Sequence, residues 1–178
     1  MRRIFATVFT ATSLIGFAVQ AQDNQFPTDQ EIADEANGVV ARHEGWEIRC
    51  SEQEGSCRMV ELARDSEDNS VVNVAMQVLP EGSSAQLGVV MISPLLTLLP
   101  RGISVAVDDG VPAAYPFSWC DRQGCYARFG LTAAQVDSFK NGGAASIKIF
   151  AITNADTPVE ASLSLAGFTD ALTDLAGR

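Results

Sequence analysis

Val71-Val72-Asn73-Val74-Ala75-Met76-Gln77-Val78-Leu79 is the stretch that decides the fold class. Val72, Val74, Met76 and Val78 fall on every second position, with Asn73, Ala75 and Gln77 between them. In an extended chain that spacing sends one set of side chains to a core and the other to water, whereas a helix would scatter them around its circumference. Ile147, Ile149 and Ala151 repeat the pattern, and such alternation belongs to antiparallel sheets with one wet face.

Short apolar or alternating runs, separated by Gly, Pro, Asp and Asn, continue on either side. They place further strands at 46–50, 57–63, 87–92, near Thr97, and at 103–107, 114–119, 125–129, 145–153 and 159–165. The expected architecture is all-β, an antiparallel β-sandwich of jelly-roll type. Two short helices interrupt it. Thr132 caps a turn with Ala133, Val136 and Phe139 at helical spacing, stopped by Asn141-Gly142. Phe168, Ala171, Leu172 and Leu175 form one stripe of a second helix. Both are read as lids on the sandwich. Asp108-Asp109-Gly110, between two apolar runs, reads as a hairpin turn whose central Asp-Gly takes positive φ.

The chain has 178 residues, enough for one ordinary domain, with 47% hydrophobic and 19% charged residues. That balance excludes an intrinsically disordered chain. Asp and Glu number 22 against 12 Lys and Arg, giving net charge −10. An acidic chain has no electrostatic footprint for a phosphate backbone, so nucleic acid is not an expected partner.

Residues 1–21 read as an export signal: Arg2 and Arg3, an apolar run from Ile4 to Val19, and small residues ending at Ala21. The run contains Thr7, Thr10, Thr12 and Ser13 and is shorter than the roughly 20 apolar residues a membrane helix needs. The later apolar segment 87–99 is broken by Ser93 and Pro94, so no span is expected after signal removal. Residues 22–44 are polar and acidic and read as a flexible lead-in, leaving a single domain at 45–178.

Four cysteines in an exported chain read as two disulfides, with three connectivities open. Cys50 and Cys57, and likewise Cys120 and Cys125, flank short polar loops with the look of hairpins. Facing strands bring such pairs within bridging distance, so Cys50–Cys57 and Cys120–Cys125 are the expected bridges. Six residues between Cys50 and Cys57 are too many for a zinc-binding pair, and no Cys-x-x-Cys redox motif occurs.

A search for catalytic groups gives no assembled set. His43, the one histidine, lies in a hydrophilic stretch, has no second histidine for a metal, and reads as a surface residue. No Gly-x-Ser-x-Gly elbow surrounds any serine, and no glycine-rich loop opens a helix to cradle phosphate. Neither metal nor cofactor is expected. Trp119, Arg122, Tyr126 and Arg128 concentrate aromatic and cationic side chains around the second cysteine pair and form the candidate binding patch.

Taken in order, Trp46-Glu47-Ile48-Arg49-Cys50, Cys57, Leu99-Pro100-Arg101-Gly102 running to Asp109-Gly110, Pro116-Phe117-Ser118-Trp119-Cys120, Gly124-Cys125 and Ser164 to Phe168 resemble the invasion-associated locus B family of exported Gram-negative proteins. The resemblance spans nearly all of the chain after Gly45. It implies a periplasmic or envelope-associated β protein named for a host-cell invasion phenotype, with no catalytic residues to carry over. The residues that map are structural: the four cysteines, Trp46, Gly102, Asp109, Gly110 and Gly167-Phe168. The resulting expectation is a non-enzymatic periplasmic or secreted protein that binds an envelope protein, a host protein or a small ligand. The alternatives are a small periplasmic hydrolase using His43 and a structural or stress-related envelope component.

Overall fold

Val72, Val74 and Met76 are buried, while Asn73, Ala75 and Gln77 face outward on the same strand. The computed structural model describes residues 38–51 and 56–178; the expected export signal and residues 22–37 of the lead-in lie outside them. Along the described chain run β1 (Val39–His43), β2 (Trp46–Ser51), β3 (Ser56–Arg64), β4 (Ser70–Val78), β5 (Leu87–Ser93), β6 (Ile103–Val107), β7 (Ala113–Tyr115), β8 (Phe117–Cys120) and β9 (Cys125–Leu131). Helix α1 (Ala133–Asn141), β10 (Ala144–Ala151), β11 (Asn154–Ser164) and α2 (Phe168–Ala176) complete it.

The strands form one antiparallel sheet in the order β7-β6-β10-β11-β3-β4-β5-β9-β8, with β2 also on β3 and β1 on β2. Only Pro116 separates β7 from β8, yet these two strands are the opposite ends of that order, paired with β6 and β9. Proline has no amide hydrogen to give to a ladder, so the strand changes partners there. Tyr115 of β7 stacks on Phe129 of β9 with ring centroids 3.6 Å apart. The sheet thereby curls into a nearly closed barrel: the two faces expected of a sandwich are one rolled sheet, and the all-β antiparallel class holds.

One apolar cluster fills the interior and includes Trp46, Ile48, Met76, Met91, Ile147 and Phe168. Both helices contribute to it. Thr132 caps α1 through a reciprocal capping box with Gln135, satisfying two amides at the helix start. Helix α2 lies against β1 to β4 and α1 and buries Phe168, Ala171 and Leu175. Trp46 meets Phe168 edge-on at 5.4 Å, and its indole nitrogen donates to the Ser164 carbonyl at 3.2 Å. Gly167 begins α2 at φ +78°, where a Cβ would lie 2.3 Å from the His43 carbonyl oxygen; only glycine admits that approach of β1.

Two expectations are corrected. The lead-in does not extend to residue 44, because Val39–His43 is paired antiparallel with Trp46–Arg49 as β1; three small apolar residues suffice once β2 supplies the ladder. The turn after β6 is centred on Asp108-Asp109 instead of Asp109-Gly110: the Gly110 amide donates to the Val107 carbonyl, and Asp108 carries the positive φ of 46°. The Asp108 carboxylate accepts from the amides of Gly143 and Ala144, which holds the turn against the start of β10 and rewards that backbone.

Candidate functional site

The outward face of β2, β3, β4, β5 and β9 carries three transverse rows set by the strand registers. Leu62, Asn73, Ile92, Tyr126 and Trp119 stand opposite one another in the first. Glu47, Val60, Ala75, Val90 and Arg128 make the second. Arg49 faces Arg58 in the third, which ends in Gly88 facing Gly130. Above the two glycines the 79–86 loop folds back, and a Cβ on Gly130 would sit 2.5 Å from that of Ala85. The loop forms one wall and Tyr126 with Gln123 another, enclosing a groove of about 850 Å³, within the range of small-molecule sites.

Among the described residues its lining holds Arg49, Arg58 and Arg128 and no Asp or Glu, in a chain whose net charge is −10. Val60, Ala75 and Val90 give an apolar floor, and Asn73 and Gln77 supply amides. Glu47, beside the groove, accepts from Arg49 Nε at 2.9 Å and Nη2 at 2.6 Å and also pairs with Arg42.

The predicted patch is brought together in part. Trp119 stacks on Tyr126 at 4.8 Å with planes 11° apart, and the Arg128 guanidinium lies 5.8 Å from the indole. Tyr126 and Arg128 line the groove; Trp119, 42% exposed, backs its wall. Arg122 stands exposed in the 121–124 turn and is not a lining residue of the groove. The Tyr126 hydroxyl donates to Gln123 Oε1 at 3.0 Å; burial pushes its phenol pKa up, and Asp121 adds to the rise. Arg49 and Arg58 were not singled out in the sequence, because only the β2–β3 register places them with Arg128.

Cys50 is bonded to Cys57 and Cys120 to Cys125, each with Cα atoms 4.0 Å apart. Both are cross-strand pairs, adjacent to Arg49–Arg58 and Trp119–Tyr126 respectively. The bridges therefore brace the two ends of the groove.

His43 is less open than expected: its side chain is 26% exposed, and Nε2 lies 2.9 Å from Asp174 Oδ2 on α2. Asp174 also accepts from Arg178 Nε at 2.8 Å. Arg178 first and His43 second hold the Asp174 carboxyl below its ordinary value. The pair joins β1 to α2; among the described residues no hydroxyl or thiol bonds the imidazole. Nor does any cluster of three or more His, Cys, Asp or Glu among those residues suit a metal. No helix among them is long and apolar enough to cross a membrane.

The model of the invasion associated locus B (IalB) protein family matches residues 46–176, from the buried Trp46 through α2. The chain belongs to the invasion associated locus B family. Two invasion protein B homologs of Brucella abortus, from strain 2308 and from biovar 1 strain 9-941, are each 27% identical over 137 residues. That alignment covers 77% of this chain and 79% of theirs. The crystal structure of invasion associated protein B from Bartonella henselae superposes with a TM-score of 0.68 at 18% identity. It covers 78% of this chain and 96% of the other, a likeness of fold. Within the family's matched span lie all four cysteines and the groove they brace.

Proposed function

We propose that this member of the invasion associated locus B family is an exported, non-enzymatic binding protein whose ligand or partner seats in the outward groove. The groove carries the reading: cations, amides and an apolar floor converge on a concavity that two disulfides hold in register. Disulfides persist in oxidising compartments, and the start of the chain, Arg2-Arg3 followed by an apolar run to Val19 and Ala21, has the order of a signal peptide. Both support a periplasmic or envelope location. The Brucella and Bartonella relatives carry invasion-related names, and a binding role at the envelope fits such a phenotype.

The test expresses the full chain with a C-terminal tag in a Gram-negative host. The expected product begins at Gln22, fractionates with the periplasm, and carries both bridges in non-reducing peptide maps; an unprocessed cytoplasmic chain with free thiols overturns export. Crosslinking in intact envelopes should recover one dominant partner that Ala75→Trp, which fills the groove floor, removes. Ester or glycoside turnover that disappears in His43→Ala would replace binding by hydrolysis.

A further inference from the structure

Resting on that binding reading, we propose that the groove takes a neutral glycan of β-linked, gluco-configured rings. The rings lie along the Val60–Ala75–Val90 floor, with hydroxyl edges against Asn73 and Gln77 and one end at Arg128 and Trp119.

A pyranose whose hydroxyls are all equatorial carries C–H bonds on both faces and hydroxyls round its rim. It suits a surface that is apolar below and hydrogen-bonding at the sides, and the groove has that cross-section. Val60, Ala75 and Val90 follow one another across β3, β4 and β5 as a floor of small apolar side chains. Asn73 and Gln77 share the outward face of β4 with Ala75, two residues before and after it, and both line the groove. At about 3.3 Å per residue they stand about 6.6 Å to either side of its axis. A carboxamide both donates and accepts, as a hydroxyl does, so the pair reads the two edges of a ring without requiring a charge. Gly88 and Gly130, opposite one another, leave depth under the 79–86 loop, whose Ser84 also lines the groove.

The arginines do not call for an anion. Glu47 stands opposite Val60 and already takes the Arg49 guanidinium in two hydrogen bonds, and Arg58 is engaged as well. A neutral ligand leaves that end undisturbed. Arg128 lies on β9, three strand spacings from β3; at about 4.8 Å per spacing the floor is about 14 Å long, so a chain of several rings is needed to span it. There the Arg128 guanidinium, 5.8 Å from the Trp119 ring, offers its fork of donors to ring and hydroxyl oxygens. Trp119 is 42% exposed; Tyr126 stacks on it from β9, and no strand follows β8 in the sheet order. An indole fixed in orientation with open area is a platform for the C–H face of a terminal ring.

The probes are cellotetraose and tetra-N-acetylchitotetraose, which share the β-linked equatorial backbone and differ in the N-acetyl group. Each is titrated into the exported, disulfide-bonded chain by calorimetry and by tryptophan fluorescence. The chain has two tryptophans, and Trp46 is fully buried, so a change on binding reports on Trp119. At least one tetrasaccharide should bind about tenfold tighter than its disaccharide, a pair of added hydrogen bonds being worth about that much. Added salt should leave the affinity unchanged, because no charge pair forms. Asn73→Ala and Gln77→Ala should each lower affinity about three- to tenfold, Trp119→Ala by a similar factor, and Arg122→Ala should leave it unchanged. Binding of the N-acetylated chain alone assigns an amino-sugar glycan, and of cellotetraose alone an unsubstituted glucan; either supports the proposal. Silence toward both, equal affinity for α-linked maltotetraose, or indifference to both amide substitutions overturns it. So does an affinity that falls steeply with salt, which assigns a charged ligand, or a proline-rich peptide that shifts Trp119 fluorescence where the glycans are silent. A partner captured in envelopes and lost in Ala75→Trp, with no glycan bound, refutes the glycan yet keeps the groove as a binding site. A groove that takes no glycan and captures nothing in envelopes refutes both.

Discussion

Arg49 stands across the β2–β3 ladder from Arg58, immediately beside the Cys50–Cys57 bridge. At the opposite end of the groove Trp119 faces Tyr126, immediately beside Cys120–Cys125. A covalent link next to each pair fixes its register. Slippage by one residue would turn these side chains to the other face of the sheet, so the bridges bear on recognition as well as on stability.

Removing the bridges should separate those two effects. They close short loops, with sequence separations of 7 and 5, for which chain entropy gives about 2 to 2.5 kcal/mol each. Urea unfolding of the Cys50→Ala/Cys57→Ala chain should show a loss of about that size, and Cys120→Ala/Cys125→Ala a similar one. Under conditions where both variants remain folded, each should also weaken recovery of the partner that crosslinks in envelopes. Stability unchanged by either double substitution would mean that the ladders hold the hairpins without covalent help.

The junction of α2 with the barrel rests on Phe168, fully buried between Trp46 at 5.4 Å and Phe139 at 5.5 Å. Phe168→Ala deletes that ring and leaves a cavity, at a cost of about 3 to 5 kcal/mol. Chemical denaturation followed by tryptophan fluorescence reads the loss directly, because Trp46 reports on the same contact. A cost below about 1 kcal/mol would place α2 outside the cooperative core.

Most of the barrel was legible from period-two alternation, since Val72, Val74 and Met76 are buried as their spacing requires, although Val78 at the end of the same strand is 44% exposed. Both bridges followed from loop length, and α1 from its capping residues. What escaped depended on pairings between distant segments. Val39–His43 has too few apolar residues to stand out as a strand until β2 lies beside it. Arg128 lies far along the chain from Arg49 and Arg58, and the groove exists only through the order β2-β3-β4-β5-β9. Arg122, close in sequence to Trp119, lies exposed in the 121–124 turn and does not line the groove. His43 read as a surface residue because its partner Asp174 comes 131 positions later.

That His43–Asp174 contact predicts a pH signature. Arg178 and His43 lower the Asp174 carboxyl from its ordinary value of 3.8, so the folded state binds its proton less readily than the unfolded chain. The stabilisation is full above 3.8 and is lost as pH falls through the lowered value. Asp174→Asn should therefore be less stable than the parent at neutral pH, with the gap closing in acid. A gap of constant size from neutral to acid pH would assign the loss to packing of α2 alone.

Glu61 carries the opposite sign. Its Oε2 is buried without a hydrogen-bond partner, while Oε1 accepts from the Leu62 amide at 2.9 Å. Gly45 makes the space, since a Cβ there would fall 1.9 Å from Oε2. Burial raises the carboxyl above 4.5, outweighing the Leu62 amide and Arg64, and Glu47 pushes the same way. A carboxyl whose folded pKa is raised gives its stability in full below the unfolded value and loses it as pH rises through the folded one. Glu61→Gln has no charge to bury, so relative to the parent it should gain stability between acid and neutral pH. Denaturant midpoints measured at pH values on either side of 4.5 test this. A parent–variant difference that stays flat, or that turns against the glutamine as pH rises, would mean that the carboxylate finds a partner when ionised and that Gly45 serves only the hairpin.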